Sequence, residues 1–182
     1  MQMNDFNRHS VHIHLSPSVN YSVGYRGEYW RKKEWQFHGT QINYLIKRFN
    51  TSKSQANFYL KSGAGFAVSD YKNHNNKIEP NVFTGISVDW EDRQYYISYQ
   101  NRVNHNSSID TFFLQKARIG FAPYIGGYGD LHTWVMLQVE NMSNTKNKII
   151  YTPMLRMFKG DYLAEAGLTN YKDFMFNFIK RF

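Results

Sequence analysis

From Val11 onward the odd positions run Val11, Ile13, Leu15, Pro17, Val19, Tyr21, Val23, Tyr25, Gly27 and Tyr29, against Ser10, His12, His14, Ser16, Ser18, Asn20, Ser22, Gly24, Arg26 and Glu28. Period two of this kind marks a strand with one apolar face. Pro17 cannot donate to a ladder, so the regular strand is expected over about residues 18 to 29, with 10–16 as an extension or bent edge. The alternation then recurs through Thr40, Ile42, Tyr44 and Ile46, through Ala56, Phe58, Leu60, Ala64, Phe66 and Val68, and through Val82, Thr84, Ile86, Val88 and Trp90. It continues through Tyr95, Ile97, Tyr99 and Val103, then Ala117, Ile119 and Phe121, then Val135, Leu137 and Val139. Ile149, Tyr151, Leu155 and Met157 follow, then Tyr162, Ala164, Ala166 and Leu168, and last Phe174, Phe176 and Phe178. Polar or glycine-containing connections separate the segments, which predicts an all-β antiparallel meander of about ten strands with no helix.

Alternation alone does not say whether the apolar face looks inward, as in a soluble barrel, or outward, as in a membrane barrel. The polar face carries Arg26, Glu28, Lys47, Lys61, Asp89, Glu91, Arg102, Lys116, Arg118, Glu140, Arg156 and Glu165, mixed in sign and interspersed with Gly, Ser and Asn. Small residues beside opposed charges suit a crowded polar lumen, whereas Tyr, Phe and Trp at strand ends suit a lipid-facing surface. Segments of about 10 to 13 residues also match the roughly 9 to 11 that cross a bilayer at a tilt, against about 5 to 6 in soluble strands. Tyr29, Trp30, Trp35, Trp90 and Tyr95 then read as interfacial anchors. The expected fold is an antiparallel up-and-down transmembrane β-barrel, with residues 17–182 as a single barrel domain after a Met/His-containing segment at 1–16.

Composition narrows the class further. The chain has 182 residues, 14 Tyr, 14 Phe, 4 Trp and 4 Pro, which argues for one ordered domain. With no cysteine it has neither a disulfide framework nor a thiolate metal site. No apolar run approaches the roughly 18 to 20 residues of a membrane helix. The net charge of +8 is spread along the chain, with Arg31-Lys32-Lys33 as the one basic run, and no motif points to nucleic acid, which is excluded as a partner. The first residues lack the basic start and apolar segment of a signal peptide, so an envelope location assumes that a leader was removed.

The end of the chain, Phe174-Met175-Phe176-Asn177-Phe178-Ile179-Lys180-Arg181-Phe182, resembles the carboxy-terminal assembly signal of Gram-negative outer-membrane barrels. Lys180 departs from the apolar residue or Tyr usual at the third position from the end. The resemblance implies a bacterial outer-membrane location, contact with outer-membrane lipid and lipopolysaccharide, and insertion by the barrel-assembly machinery. It also implies both termini in the periplasm, with external loops at 31–34, 70–81, 104–110, 141–148 and 170–173, and a plugged barrel without a large pore.

Three constellations are candidates for chemistry. Met1, Met3, His9, His12 and His14 put soft sulfur and imidazole together, which suits copper more than hard cations, and His12 and His14 share one strand face. Through residues 1–31 and 127–134 the chain is similar to uncharacterised barrels associated with copper and heavy-metal efflux loci. That resemblance implies envelope metal handling, with metal-efflux components as partners and copper as the bound species. His105-Asn106-Ser107 resembles the His-x-Ser pair of outer-membrane lipid A deacylases, in which His activates Ser, although Ser108 replaces the Asn that follows there. Asp130-Leu131-His132 could orient an imidazole by a carboxylate, which invites comparison with ten-stranded outer-membrane proteases. The reading preferred is a non-enzymatic outer-membrane barrel engaged in metal handling. A lipid A esterase and a lipocalin-like soluble barrel holding an apolar ligand are the rivals.

Overall fold

The computed structural model describes residues 1–71, 74, 76–127, 129–145 and 149–181. Among them the chain forms twelve strands and no helix: β1 (Gln2–Asn4), β2 (Arg8–Ser18), β3 (Tyr21–Trp30), β4 (Trp35–Asn50), β5 (Ser54–Ser69), β6 (Lys77–Asp92), β7 (Tyr95–Asn106), β8 (Phe112–Phe121), β9 (His132–Met142), β10 (Ile150–Lys159), β11 (Tyr162–Leu168) and β12 (Phe174–Lys180). Each pairs antiparallel with its neighbours in sequence, and β1 pairs with β12, which closes an up-and-down barrel. Phe182, Tyr128 and parts of the expected loops at 70–81 and 141–148 lie outside the described residues.

Side-chain acceptors set the tight reversals. Asp92 Oδ1 accepts from the N–H groups of Gln94 (2.7 Å) and Tyr95 (2.5 Å), and Thr51 Oγ1 accepts from those of Lys53 (3.2 Å) and Ser54 (2.9 Å). Gly160 supplies the positive φ (56°) of the two-residue turn between β10 and β11. The turns after β1, β3, β5, β7, β9 and β11 share one end of the barrel, here called upper, and the remaining turns share the lower end.

The ten strands expected from periodicity are β3 to β12, and the two additional ones are β1 and β2. Pro17 did not exclude residues 8–18 from the wall. Of β2, only His9–Val11 pair with β1, and the β2–β3 register shifts between Leu15 and Ser18, so the missing donor of Pro17 falls where the ladder is already incomplete. Residues 1–16 therefore carry β1 and most of β2.

The two faces sort sharply. The outer surface presents Ile13 (67% exposed), Leu15 (71%), Ile97, Ile119, Val135 and Phe174. The lumen holds Arg8, Arg26, Glu28 (3%), Arg102 (4%), Lys116, Glu140 and Glu165. Trp30 and Trp35 are not interfacial anchors: both are buried in the lumen, stacked with ring centroids 5.6 Å apart and planes 6° from parallel. Tyr29, Trp90 and Tyr95 do face outward.

Candidate functional site

The upper half of the lumen is filled. Trp30, Trp35, Phe37, Ala67, Phe83, Phe112, Leu114 and Met142 form one apolar cluster, capped by Ile109 from the β7–β8 loop. Asn104 and Asn106, expected in an external loop, are inward residues of β7, because that strand runs two residues past Asn104 and both amides find buried partners. They bond to Asn81 at 2.9 Å, and Asn106 Oδ1 accepts from the Asp110 N–H at 2.6 Å. The Asp110 carboxylate in turn accepts from Lys33 Nζ (2.6 Å), Trp35 Nε1 (3.1 Å) and Asn144. This loop is a plug held by the Asp110 carboxylate from within and by Glu79, which accepts from the Ser108 N–H (2.9 Å) and hydroxyl (2.7 Å).

Beneath it, three guanidinium groups converge on Glu28. Arg8 Nη1 lies 3.0 Å from Oε1, Arg26 Nε donates to Oε1 at 2.9 Å, and Arg102 Nη1 lies 2.8 Å from both oxygens. The aromatic plug takes up part of the excess positive charge, since Arg102 Cζ sits 3.9 Å from the centroid of Phe83 and Arg8 Cζ 5.1 Å from that of Trp30. A second set joins Lys116 to Glu140 (2.9 Å), and a third joins Arg118 (3.2 Å) and Arg156 (2.7 Å) to Glu165. The β1–β2 turn also folds inward: Asn7 Nδ2 donates to Glu140 Oε1 at 2.6 Å, and Asp5 Oδ1 accepts the N–H groups of Asn7 and Arg8 at 3.0 Å. Burial alone would raise the Asp5 carboxyl, but Arg8, Lys116 and those two N–H groups outweigh it and hold the carboxyl below its ordinary range.

The lower half keeps a cavity of about 280 Å³ that reaches down to Asp89 and Tyr96, close to the β6–β7 turn. Four of the five expected metal ligands, Met1, Met3, His12 and His14, line it. Met1 and His12 exchange both backbone hydrogen bonds, Met1 N to His12 O at 3.0 Å and His12 N to Met1 O at 2.9 Å, which sets their side chains side by side on the inner face. The rings of His12 and His14 lie 6.0 Å apart, edge to face, and neither His12 Nε2 nor His14 Nδ1 has a hydrogen-bond partner. Beside His14, Gly24 is the cross-strand residue, and a Cβ there would meet the Ile13 carbonyl oxygen at 1.9 Å.

His9 does not join them. It faces outward, where its Nε2 accepts from Arg31 Nε (3.0 Å) and its Nδ1 lies 2.7 Å from Asn4 Oδ1. Among the described residues no group of three or more His, Asp or Glu gathers as a metal site, so a metal here depends on two imidazoles and two thioethers. Sequence reasoning missed the cations that share the cavity: Arg8, Arg26, Lys61, Lys116 and Arg118 line it against the single acid Asp89. The polar alternation had put these side chains on one face, but only closure of the sheet sets them around one space.

The other two constellations stay apart. His105 points outward from β7, with its Nδ1 3.4 Å from Thr111 Oγ1, and Ser107 is exposed in the loop; no hydrogen bond joins the two. Asp130 Oδ2 accepts from the Gly127 N–H (2.8 Å), while His132 Nε2 donates to the Gly127 carbonyl (3.2 Å), so carboxylate and imidazole address one glycine rather than each other.

No family model matches the chain, and neither a curated protein nor a solved structure is significantly similar to it.

Proposed function

We propose that this protein is an outer-membrane β-barrel without enzymatic activity, plugged at its external end, whose periplasm-facing cavity handles a soft metal ion of the copper class. The observation that carries the membrane reading is the inversion of the two faces, with charge networks inside and Ile, Leu, Val, Phe and Tyr outside. An even strand number, which returns both termini to one side, agrees with it, and β4, β5 and β6 at 16 residues each are long enough to cross. A barrel that holds an apolar ligand would need an open apolar lining, whereas here the apolar part of the lumen is filled by its own side chains and the open cavity is lined by arginine, lysine and polar groups. The esterase reading is not favoured by a His105 and Ser107 that make no hydrogen bond to each other.

The metal reading rests on the convergence of Met1, Met3, His12 and His14 on one cavity, with two imidazole nitrogens left unpartnered. Two rings 6.0 Å apart are within reach of a single ion, given about 2.0–2.1 Å per metal–nitrogen bond. The surrounding cations select among ions. Coulomb repulsion scales with charge, so they oppose a divalent ion twice as strongly as a monovalent one. Neutral thioether and imidazole donors suit Cu(I).

Two measurements test these readings. A folded barrel in the outer-membrane fraction is expected to migrate differently on a detergent gel before and after boiling; a freely soluble protein without that shift would reverse the membrane reading. Titration of the folded barrel with Cu(I) against a chromophoric chelator is expected to show about tenfold or greater loss of affinity in His12→Ala/His14→Ala. Equal affinity in the two proteins would remove the metal role and leave the barrel.

A further inference from the structure

The outer surface departs from its apolar character over β1 to β4 near the upper rim. There Asn4, His9, Gln36 and His38 point outward beside the Tyr25 and Tyr29 rings and line a groove of about 300 Å³. Its floor is Gly27, the one outward position of β3 between those tyrosines without a side chain. Elsewhere along the same rim the outward residues include Phe66, Ile78, Leu168 and Phe174, with His105 and Gln115 as separate polar positions on β7 and β8.

Hydrogen bonds fix both imidazoles. Arg31 Nε donates to His9 Nε2, so the His9 proton sits on Nδ1 and goes to Asn4 Oδ1. The amide oxygen of Gln36 only accepts, so His38 donates to it from Nε2 (3.0 Å) and takes the Tyr25 hydroxyl on Nδ1 (2.7 Å). The His9 ring stacks on Tyr29, with centroids 6.4 Å apart and planes within 9° of parallel. Arg31, in the β3–β4 turn above, bonds to His9 through Nε alone and makes no ion pair among the described residues.

Such a set is costly against hydrocarbon, where polar groups without partners are penalised, but it fits the headgroup layer. We propose that this groove binds the phosphorylated sugar headgroup of an outer-leaflet glycolipid. Arg31 takes the phosphate, the amides of Asn4 and Gln36, each oriented by an imidazole, take sugar hydroxyls, and the Tyr29 ring offers its face to the sugar. The inference rests on the membrane reading above and adds to it a specific lipid site on one face of the wall, over β1 to β4.

The test is native mass spectrometry of the full barrel released from detergent micelles that contain lipid A, a bisphosphorylated glucosamine disaccharide lipid, with phosphatidylcholine micelles as the comparison. Two variants probe different features of the groove. Arg31→Ala removes the cation. Gly27→Val fills the floor, where a Cβ meets the Tyr25 hydroxyl at 2.9 Å, the far end of a side chain that can turn aside. The wild type is expected to carry lipid A and not phosphatidylcholine, and each variant is expected to lose about tenfold in apparent affinity, the size of one charge-assisted contact. A gel shift on the same samples reports folding. A shifted, folded barrel that binds lipid A equally in wild type and both variants, or no better than phosphatidylcholine, overturns this inference alone. A dimer that both variants dissolve also overturns it, by giving the groove to a second copy. Absence of the shift in the wild type overturns the membrane reading, and this inference with it.

Discussion

At the scale of single residues, the lumen turns on Glu28. Its carboxylate is buried and meets three guanidinium groups, two from strands adjacent in sequence and one, Arg102, from 74 residues away. Burying four charges costs much in desolvation, and the arrangement holds only because the attraction is strong and Phe83 and Trp30 face the remaining charge. Glu28→Gln leaves Arg26 and Arg102 without a counter-ion and Arg8 with Asp5 alone (3.5 Å). It is expected to destabilise the folded barrel by about 3–5 kcal/mol, read as a lower urea midpoint of unfolding in detergent. A midpoint equal to wild type would mean that water or a bound anion already neutralises the arginines. The polar alternation announced that Arg26, Glu28 and Arg102 share a face. It could not announce that they touch, since the distance between β3 and β7 across a lumen is a property of barrel radius.

At the scale of elements, the least regular segment does the most to close the molecule. The β7–β8 loop enters the upper mouth with Ile109 and Asp110, and the Asp110 carboxylate is where Lys33, Trp35 and Asn144 meet. Asp110→Ala is expected to release this loop without unfolding the wall. The measurement is limited proteolysis of the folded barrel, with cleavage between residues 107 and 111 at least about tenfold faster than in wild type, because cleavage follows the population of the open form. Unchanged cleavage would assign the closure to the apolar contacts of Ile109 together with the Glu79–Ser108 hydrogen bonds. In sequence the stretch read as an ordinary external loop, since Asn104, Asn106 and Asp110 are polar and nothing local distinguishes an amide in water from an amide paired inside a barrel. The N-terminal strands were obscured for the opposite reason: Pro17 is a genuine break signal, and only the shortness of β1 makes it harmless.

At the scale of the whole molecule, the question is which solvent the outer surface meets. Ile42 stands near the middle of β4 and is 51% exposed. In a bilayer an arginine at such a position costs about 2–4 kcal/mol, whereas on a water-facing surface it costs almost nothing. Ile42→Arg is therefore expected to lower the urea midpoint of the barrel in lipid vesicles. An unchanged midpoint would argue for a water-exposed wall. The fold class and most of the wall were legible from the alternation, because a strand in a closed barrel has two faces in different media along its whole length, and that contrast is written residue by residue.

Local pattern was enough for the strands β3 to β12, their antiparallel order and most of the sorting of charge to one face and apolar side chains to the other, since period two and turn residues need no knowledge of partners. Lys47, expected on the polar face, is the exception, turned outward opposite Phe58 by the bulge between Leu45 and Lys47. It took the closed barrel to show that β1 and β2 complete the wall, that Trp30 and Trp35 are plug rather than anchor, and that His9 parts from His12. The closed barrel also decided that Met1, Met3, His12 and His14 share their cavity with five cations. These depend on closure: bending the sheet through a full turn brings strands distant in sequence face to face across a lumen, and that distance is set by how many strands the barrel contains.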